Sequence, residues 1–178
     1  MSKILDSIDQ MATRGYPAGW RNPDIKKYIL TGDEKLLPQI PKPQNHAAWD
    51  LWSALPAPDH WTEEAGRVIR LAAYHSIDAL IQGWLSQYCS WSGSKWEHFK
   101  AALALLRAHA VPEDTIYLAI ANSEAWNHSE NKPTEVGLEL LNATDEVLKK
   151  AVKAGYRNWQ IPALLAHLQP DRLEKLIA

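Results

Sequence analysis

Apolar residues in this chain recur mainly at steps of three and four, the interval that places side chains on one face of an α-helix. The longest such row runs from Thr62 to about Cys89. It carries Ala65, Val68, Ile69, Ala72, Ile77, Leu80, Ile81, Trp84 and Leu85, with Tyr88 completing it. Arg67, Arg70, Asp78 and Gln82 fall mainly on the other side. The pattern predicts one long central helix over residues 62–89. Shorter rows flank it: Leu5, Ile8, Met11 and Ala12; Ile25, Tyr28 and Ile29; Ala48, Trp49, Trp52 and Leu55; Trp96, Phe99, Leu103, Leu106 and Ala110. Towards the C-terminus come Val147, Leu148, Ala151 and Val152, then Ile161, Leu164, Leu165 and Leu168, then Leu173, Leu176 and Ile177.

The residues between these rows are helix starts and stops. Ser2, Asn45, Thr134, Thr144 and Asn158 are suited to N-caps, since a short side-chain oxygen can accept from a free amide of the first turn. Asn22-Pro23 adds proline at the first helical position, where its missing N–H costs nothing. Ser94-x-x-Glu97 is a capping box, and Pro112 opens a further helix with Glu113 and Asp114 in its first turn. Arg14 to Gly19, Thr31-Gly32 and Lys153-Ala154-Gly155 are the stops. Pro38, Pro41 and Pro43 predict an extended connector over 37–44, and residues 127–133 read as a polar loop. No window alternates apolar and polar residues for long enough to predict a substantial strand. The expected fold is all-α: a single compact domain over 1–178, built of antiparallel helical hairpins around the 62–89 helix. The short helices after Thr134 resemble a degenerate helical-repeat stack.

Composition narrows the classes of function. The 178 residues are 46% apolar and 22% charged with a net charge of −2, ordinary globular values that do not call for a polyanionic partner. Arg14, Arg21, Lys26 and Lys27, near Tyr16, Trp20 and Tyr28, form the one basic–aromatic cluster. Asp24, Asp33 and Glu34 interrupt it, so nucleic-acid binding is not expected. Cys89 is the single cysteine, which excludes an internal disulfide; its place at the end of a helical row predicts a packed or partly exposed thiol rather than a nucleophile. Asp6 and Asp9 interrupt what a secretory leader would need as an apolar run, and no stretch is long and apolar enough to span a bilayer. The expected location is the cytoplasm. Nine tryptophans against one phenylalanine are unusual; indole suits both helical cores and binding hot spots.

No phosphate-binding glycine loop, nucleophile elbow or His-Glu-x-x-His motif is present. Three helix-spaced pairs are candidates for a ligand or base: Glu124/His128, His60/Glu64 and His75/Asp78. A metal or catalytic site needs at least three converging groups, the sequence does not locate the others, and a surface ion pair at helix spacing is the ordinary reading of each. No metal, cofactor or catalytic residue is therefore expected, and an enzyme is the less favoured reading.

Charge is unevenly distributed. Residues 111–143 hold six acids (Glu113, Asp114, Glu124, Glu130, Glu135 and Glu139) against Lys132 alone, a net of −5; residues 144–178 carry a net of +2. Trp126 and His128 lie within the acidic block. Exposed acids with embedded aromatics complement a basic protein and steer its approach, although a solvated helix surface would carry the same glutamates. The expected function is stoichiometric protein binding, most concretely by an inhibitor or immunity-type protein that neutralises a basic toxin or enzyme. The expected contacts are Glu113, Asp114, Glu124, Trp126, His128, Glu130, Glu135 and Glu139. A helical adaptor or scaffold is the first alternative, and an enzyme or small-molecule binder with a Trp-lined pocket the second.

Overall fold

A computed structural model describes residues 3–13, 22–43, 51–89, 96–121, 123–154 and 159–178. The caps expected at Ser2, Asn45, Ser94 and Asn158, the break at residues 14–19, the stop at Gly155, Trp49 and most of the basic–aromatic cluster lie outside them. The fold is all-α. By its internal contacts the chain divides into two compact units: residues 1–84 with 100–112, and residues 85–99 with 113–178.

In the first unit, α1 (Lys3–Thr13) and α2 (Pro23–Thr31) carry an ion pair between Asp9 and Lys26 at 3.3 Å. Asn22 caps α2 as its sequence implies, its Oδ1 accepting from the Asp24 amide at 2.9 Å. Gly32 ends the helix at φ 69°, a left-handed conformation costly for residues with a Cβ, and its N–H donates to the Tyr28 carbonyl. Ile25, Tyr28 and Ile29 are buried, as the periodicity predicts.

The connector expected at 37–44 is corrected over residues 37–39, while 41–43 carry no regular structure. Residues Glu34–Gln39 form a 3-10 helix capped by Asp33, with Pro38 inside it, and Leu36, Leu37 and Ile40 are buried. Pro38 cannot donate within this helix, but the three apolar side chains give the segment a buried face. Pro38 is therefore compatible with packed structure here.

The long central helix is a second correction. It is two helices, α3 (Glu63–Tyr74) and α4 (Asp78–Ser86). Thr62 caps the first, accepting from the Ala65 amide at 3.2 Å. At the break, the Ile77 N–H donates to Ala72 O at 2.8 Å and the Ser76 N–H to Ala73 O at 3.3 Å, with Ser76 at φ 54°. These two bonds make a Schellman stop, and Ile77 is fully buried beyond it. The apolar row continues through the break because Ile77 belongs to the core whichever way the backbone runs. Helix α5 (Trp96–Ala108) ends in the same way, with Ala110 at φ 63° and the Val111 N–H on Leu106 O at 3.1 Å.

Trp84 is among the largest fully buried side chains. Its indole N–H donates to the Pro56 carbonyl at 3.1 Å and its ring lies 5.0 Å from that of Trp61. Leu80, Ile81, Val68 and Ile69 are also fully buried.

The second unit holds α6 (Glu113–Ile120), α7 (Glu135–Leu140), α8 (Asp145–Ala154), α9 (Gln160–Leu168) and α10 (Pro170–Ile177). Helix α6 packs on α8, and α9 on α10. Thr134 and Thr144 cap α7 and α8 as expected, through the Gly137 and Val147 amides. The segment expected to be a polar loop instead contains an antiparallel hairpin, β1 (Trp126–Asn127) with β2 (Lys132–Pro133), its turn completed by Asn131 at φ 49°. Two residues per strand are too few to leave an alternation in the sequence.

Candidate functional site

The hairpin is held on two sides. Against α9, the buried side-chain oxygen of Gln160 accepts from the Ala125 amide and, at 3.4 Å, from the Trp126 amide. Against α7, the Thr134 N–H donates to the Ala125 carbonyl at 3.1 Å, while the Thr134 hydroxyl donates to Glu124 O and accepts from Gly137 N. Gly137 is required by this approach: a Cβ there would lie 2.1 Å from the Ala125 carbonyl oxygen. Buried amides without water must find acceptors in the protein, and Gln160 and Thr134 provide for the segment that carries the hairpin.

Two imidazole–indole pairs then form, between the hairpin and α9 and between the hairpin turn and Trp159, the residue preceding α9. The Trp126 and His167 rings are 4.4 Å apart at 30°, and the His128 and Trp159 rings 4.9 Å apart at 26°. Their exposure differs. Trp126 is 5% exposed, whereas Trp159 is 48% exposed and His128 is exposed at the turn. The indole presented to solvent is thus Trp159, which the sequence reading did not select; Trp126 belongs to the interior because the hairpin lays it against α9.

The acidic residues fall around this frame. Glu124 is half-buried before the hairpin, and Glu130 at its turn pairs with Lys132 at 2.8 Å. Glu135 and Glu139 are four apart on α7 and so share a face; a Glu139 oxygen accepts from the Tyr117 hydroxyl of α6 at 3.4 Å. Glu113 and Asp114 are exposed in the first turn of α6, where negative charge suits the helix dipole. The structure therefore brings Glu124, Trp126, His128, Glu130 and Glu135 to the hairpin and its base. Glu139 links them, through Tyr117, to the α6 end.

The helix-spaced pairs do not survive as pairs. Glu124 and His128 lie in a loop and a hairpin turn, so no shared helix face exists, and His128 stacks on Trp159 instead. His60 belongs to a separate 3-10 turn, with Thr62 extended before Glu64. His75 and Asp78 lie on opposite sides of the Ser76 turn. His75 bonds to the Leu37 backbone and its Nε2 is buried without a partner among the described residues; burial holds its pKa below the usual value. Among the described residues no three His, Cys, Asp or Glu side chains cluster as metal ligands would. Cys89 is buried, its thiol donates to Leu85 O at 3.3 Å, and burial pushes its pKa up to about 12, far from thiolate chemistry.

The first unit has a cleft of about 620 Å³ lined by Tyr28, Glu34, Glu63, Arg67, Arg70 and His109. Its cations are engaged. Arg70 pairs with Glu34 at 3.0 Å, and Arg67 pairs with Glu63 at 3.4 Å while donating to the α2 carbonyls of Ile29 and Leu30. Tyr28 donates to Glu34, and burial foremost, then that carboxylate, holds its phenol protonated. The arrangement caps α2 and ties it to α3. The Trp61 indole N–H donates to His109 Nε2 at 3.3 Å, and burial lowers the His109 pKa.

No family model, no curated protein and no solved structure matches the chain. No helix among the described residues is long and apolar enough to cross a membrane.

Proposed function

We propose that this chain is a non-catalytic protein-binding protein that docks a basic partner on the hairpin face of its second unit, most concretely an inhibitor or immunity-type protein. The observation that carries the reading is the Trp159–His128 stack: an indole 48% exposed, held against a neighbouring ring, beside a segment with a net charge of −5. Exposed tryptophan is the residue type most enriched at hot spots, and an anchor already ordered in the free protein loses less entropy on binding. Glu124, Glu130 and Glu135 around it favour a cationic partner and speed its encounter. The paired charges of the first-unit cleft give no comparable surface.

The test is affinity capture from the native host's lysate with three baits side by side: wild type, Trp159→Ala, and Glu124→Lys/Glu130→Lys/Glu135→Lys. A basic protein enriched by the wild type and lost from both variants supports the reading. Enrichment that neither variant changes, or no basic protein enriched at all, overturns it.

A further inference from the structure

We infer that the groove between α8, α9 and α10 is a binding site for a single-chain anionic amphiphile, a fatty carboxylate of about twelve carbons. The groove holds about 320 Å³, with Leu148, Ile161 and Leu165 as its buried floor and the half-buried Val152, Leu173 and Leu176 as its walls. Helix α10 is strongly amphipathic in sequence, yet none of its residues is buried, and Ile177 is 75% exposed. Its apolar face is therefore only half used by α9. Arg172 fixes the start of α10, pairing with Asp145 at 2.7 Å and donating to the carbonyls of Leu141 and Ala143. The helix is thus anchored at one end while its apolar face borders the groove.

Charge at the rim identifies the head group. Lys149 and Lys153, four apart on α8, both line the groove, are exposed, and have no ion-pair partner among the described residues. Their neighbours are engaged: Lys150 with Glu146 at 3.2 Å, and Arg172 with Asp145. Lys153 also suits the C-terminal end of the helix dipole, but Lys149 sits in mid-helix, where the dipole gives no such reason. An apolar trough with a few convergent polar groups is the usual form of a small-ligand site, and its volume lies at the low end of the roughly 300–1,000 Å³ range. An unbranched alkyl chain ending in a carboxylate satisfies the trough and the two cations together.

The test is calorimetric titration of delipidated full-length protein with dodecanoate below its micellar concentration. Binding with a stoichiometry of one is expected. Decanoate should bind about 4- to 15-fold more weakly, from the transfer free energy of two methylenes partly or wholly buried. Lys149→Gln/Lys153→Gln, which alters only exposed side chains, should weaken dodecanoate about 2- to 30-fold, the range for two exposed charge pairs. Val152→Trp fills the trough and should abolish binding, its fold checked by circular dichroism. No binding of dodecanoate, dodecanol binding as tightly as dodecanoate, or an unchanged affinity in the lysine double variant overturns the assignment. So does a self-associating wild type that Val152→Trp renders monomeric while dodecanoate fails to bind.

Discussion

Gln160→Met tests how the candidate site is held. Methionine keeps the length and most of the volume of glutamine, so the substitution leaves little cavity. It removes the acceptor on which the buried Ala125 amide depends. A buried donor left without a partner costs about 1–3 kcal/mol. The second bond, from Trp126 N at 3.4 Å, is near the limit of a useful hydrogen bond and adds a fraction of that. The expected loss is therefore about 2–3 kcal/mol. With a urea m-value of about 2–3 kcal/mol/M, the denaturation midpoint should fall by about 1 M. Amide exchange gives a local reading: Ala125 and Trp126 should lose protection ahead of Leu164 and Leu165 in the α9 core. A midpoint within about 0.2 M of wild type, with Ala125 protection retained, would refute the claim that Gln160 anchors the hairpin.

Further substitutions test the fold. Ala110→Gly should stabilise by about 0.5–1 kcal/mol, because relief of the left-handed strain, about 1–2 kcal/mol, exceeds the added freedom of the unfolded chain; a lower melting temperature would contradict the Schellman stop at Ala110. Leu80→Ala and Trp84→Ala should each cost about 2–5 kcal/mol in chemical denaturation, since both side chains are fully buried; unchanged midpoints would show that this face is not core. Stability should also fall on acidification. His75 and His109 have folded-state pKa values below the usual 6.5, so the unfolded chain takes up their protons first as pH drops below that value. Protonation also turns the acceptor of Trp61 into a second donor. His109→Phe should flatten the decline in urea midpoint between pH 7.5 and 5.5, and an undiminished slope would remove His109 from the explanation.

What the sequence made legible was the helical faces and their caps. Asn22, Thr134 and Thr144 act locally, through amides two or three residues away, and so leave a local signature. The breaks at Ser76 and Ala110 were illegible because neither is glycine; tertiary packing of Ile77 and Val111 imposes a conformation the residue itself does not favour. The 3-10 helix at 34–39 was hidden by prolines that usually mark extended chain. At the candidate site, the acidic block and His128 were visible as composition. Trp159, Gln160 and His167 lie more than thirty residues further along the chain, brought to the hairpin by packing, and no local pattern announces such a meeting.

The central claim, that the hairpin face recognises a basic protein, is tested most directly by the binding kinetics of the captured partner. Wild type, Glu124→Lys/Glu130→Lys/Glu135→Lys and Trp159→Ala are compared across ionic strengths by surface plasmon resonance. Charge reversal should slow association and flatten its salt dependence, since rim charges act chiefly on encounter; Glu124 and Glu135 are half-buried, so the fold of this variant is checked by circular dichroism. Trp159→Ala should speed dissociation and cost at least about 2 kcal/mol of binding, the threshold for a hot spot. Association and dissociation rates unchanged in both variants would place the partner elsewhere on the molecule and contradict the account.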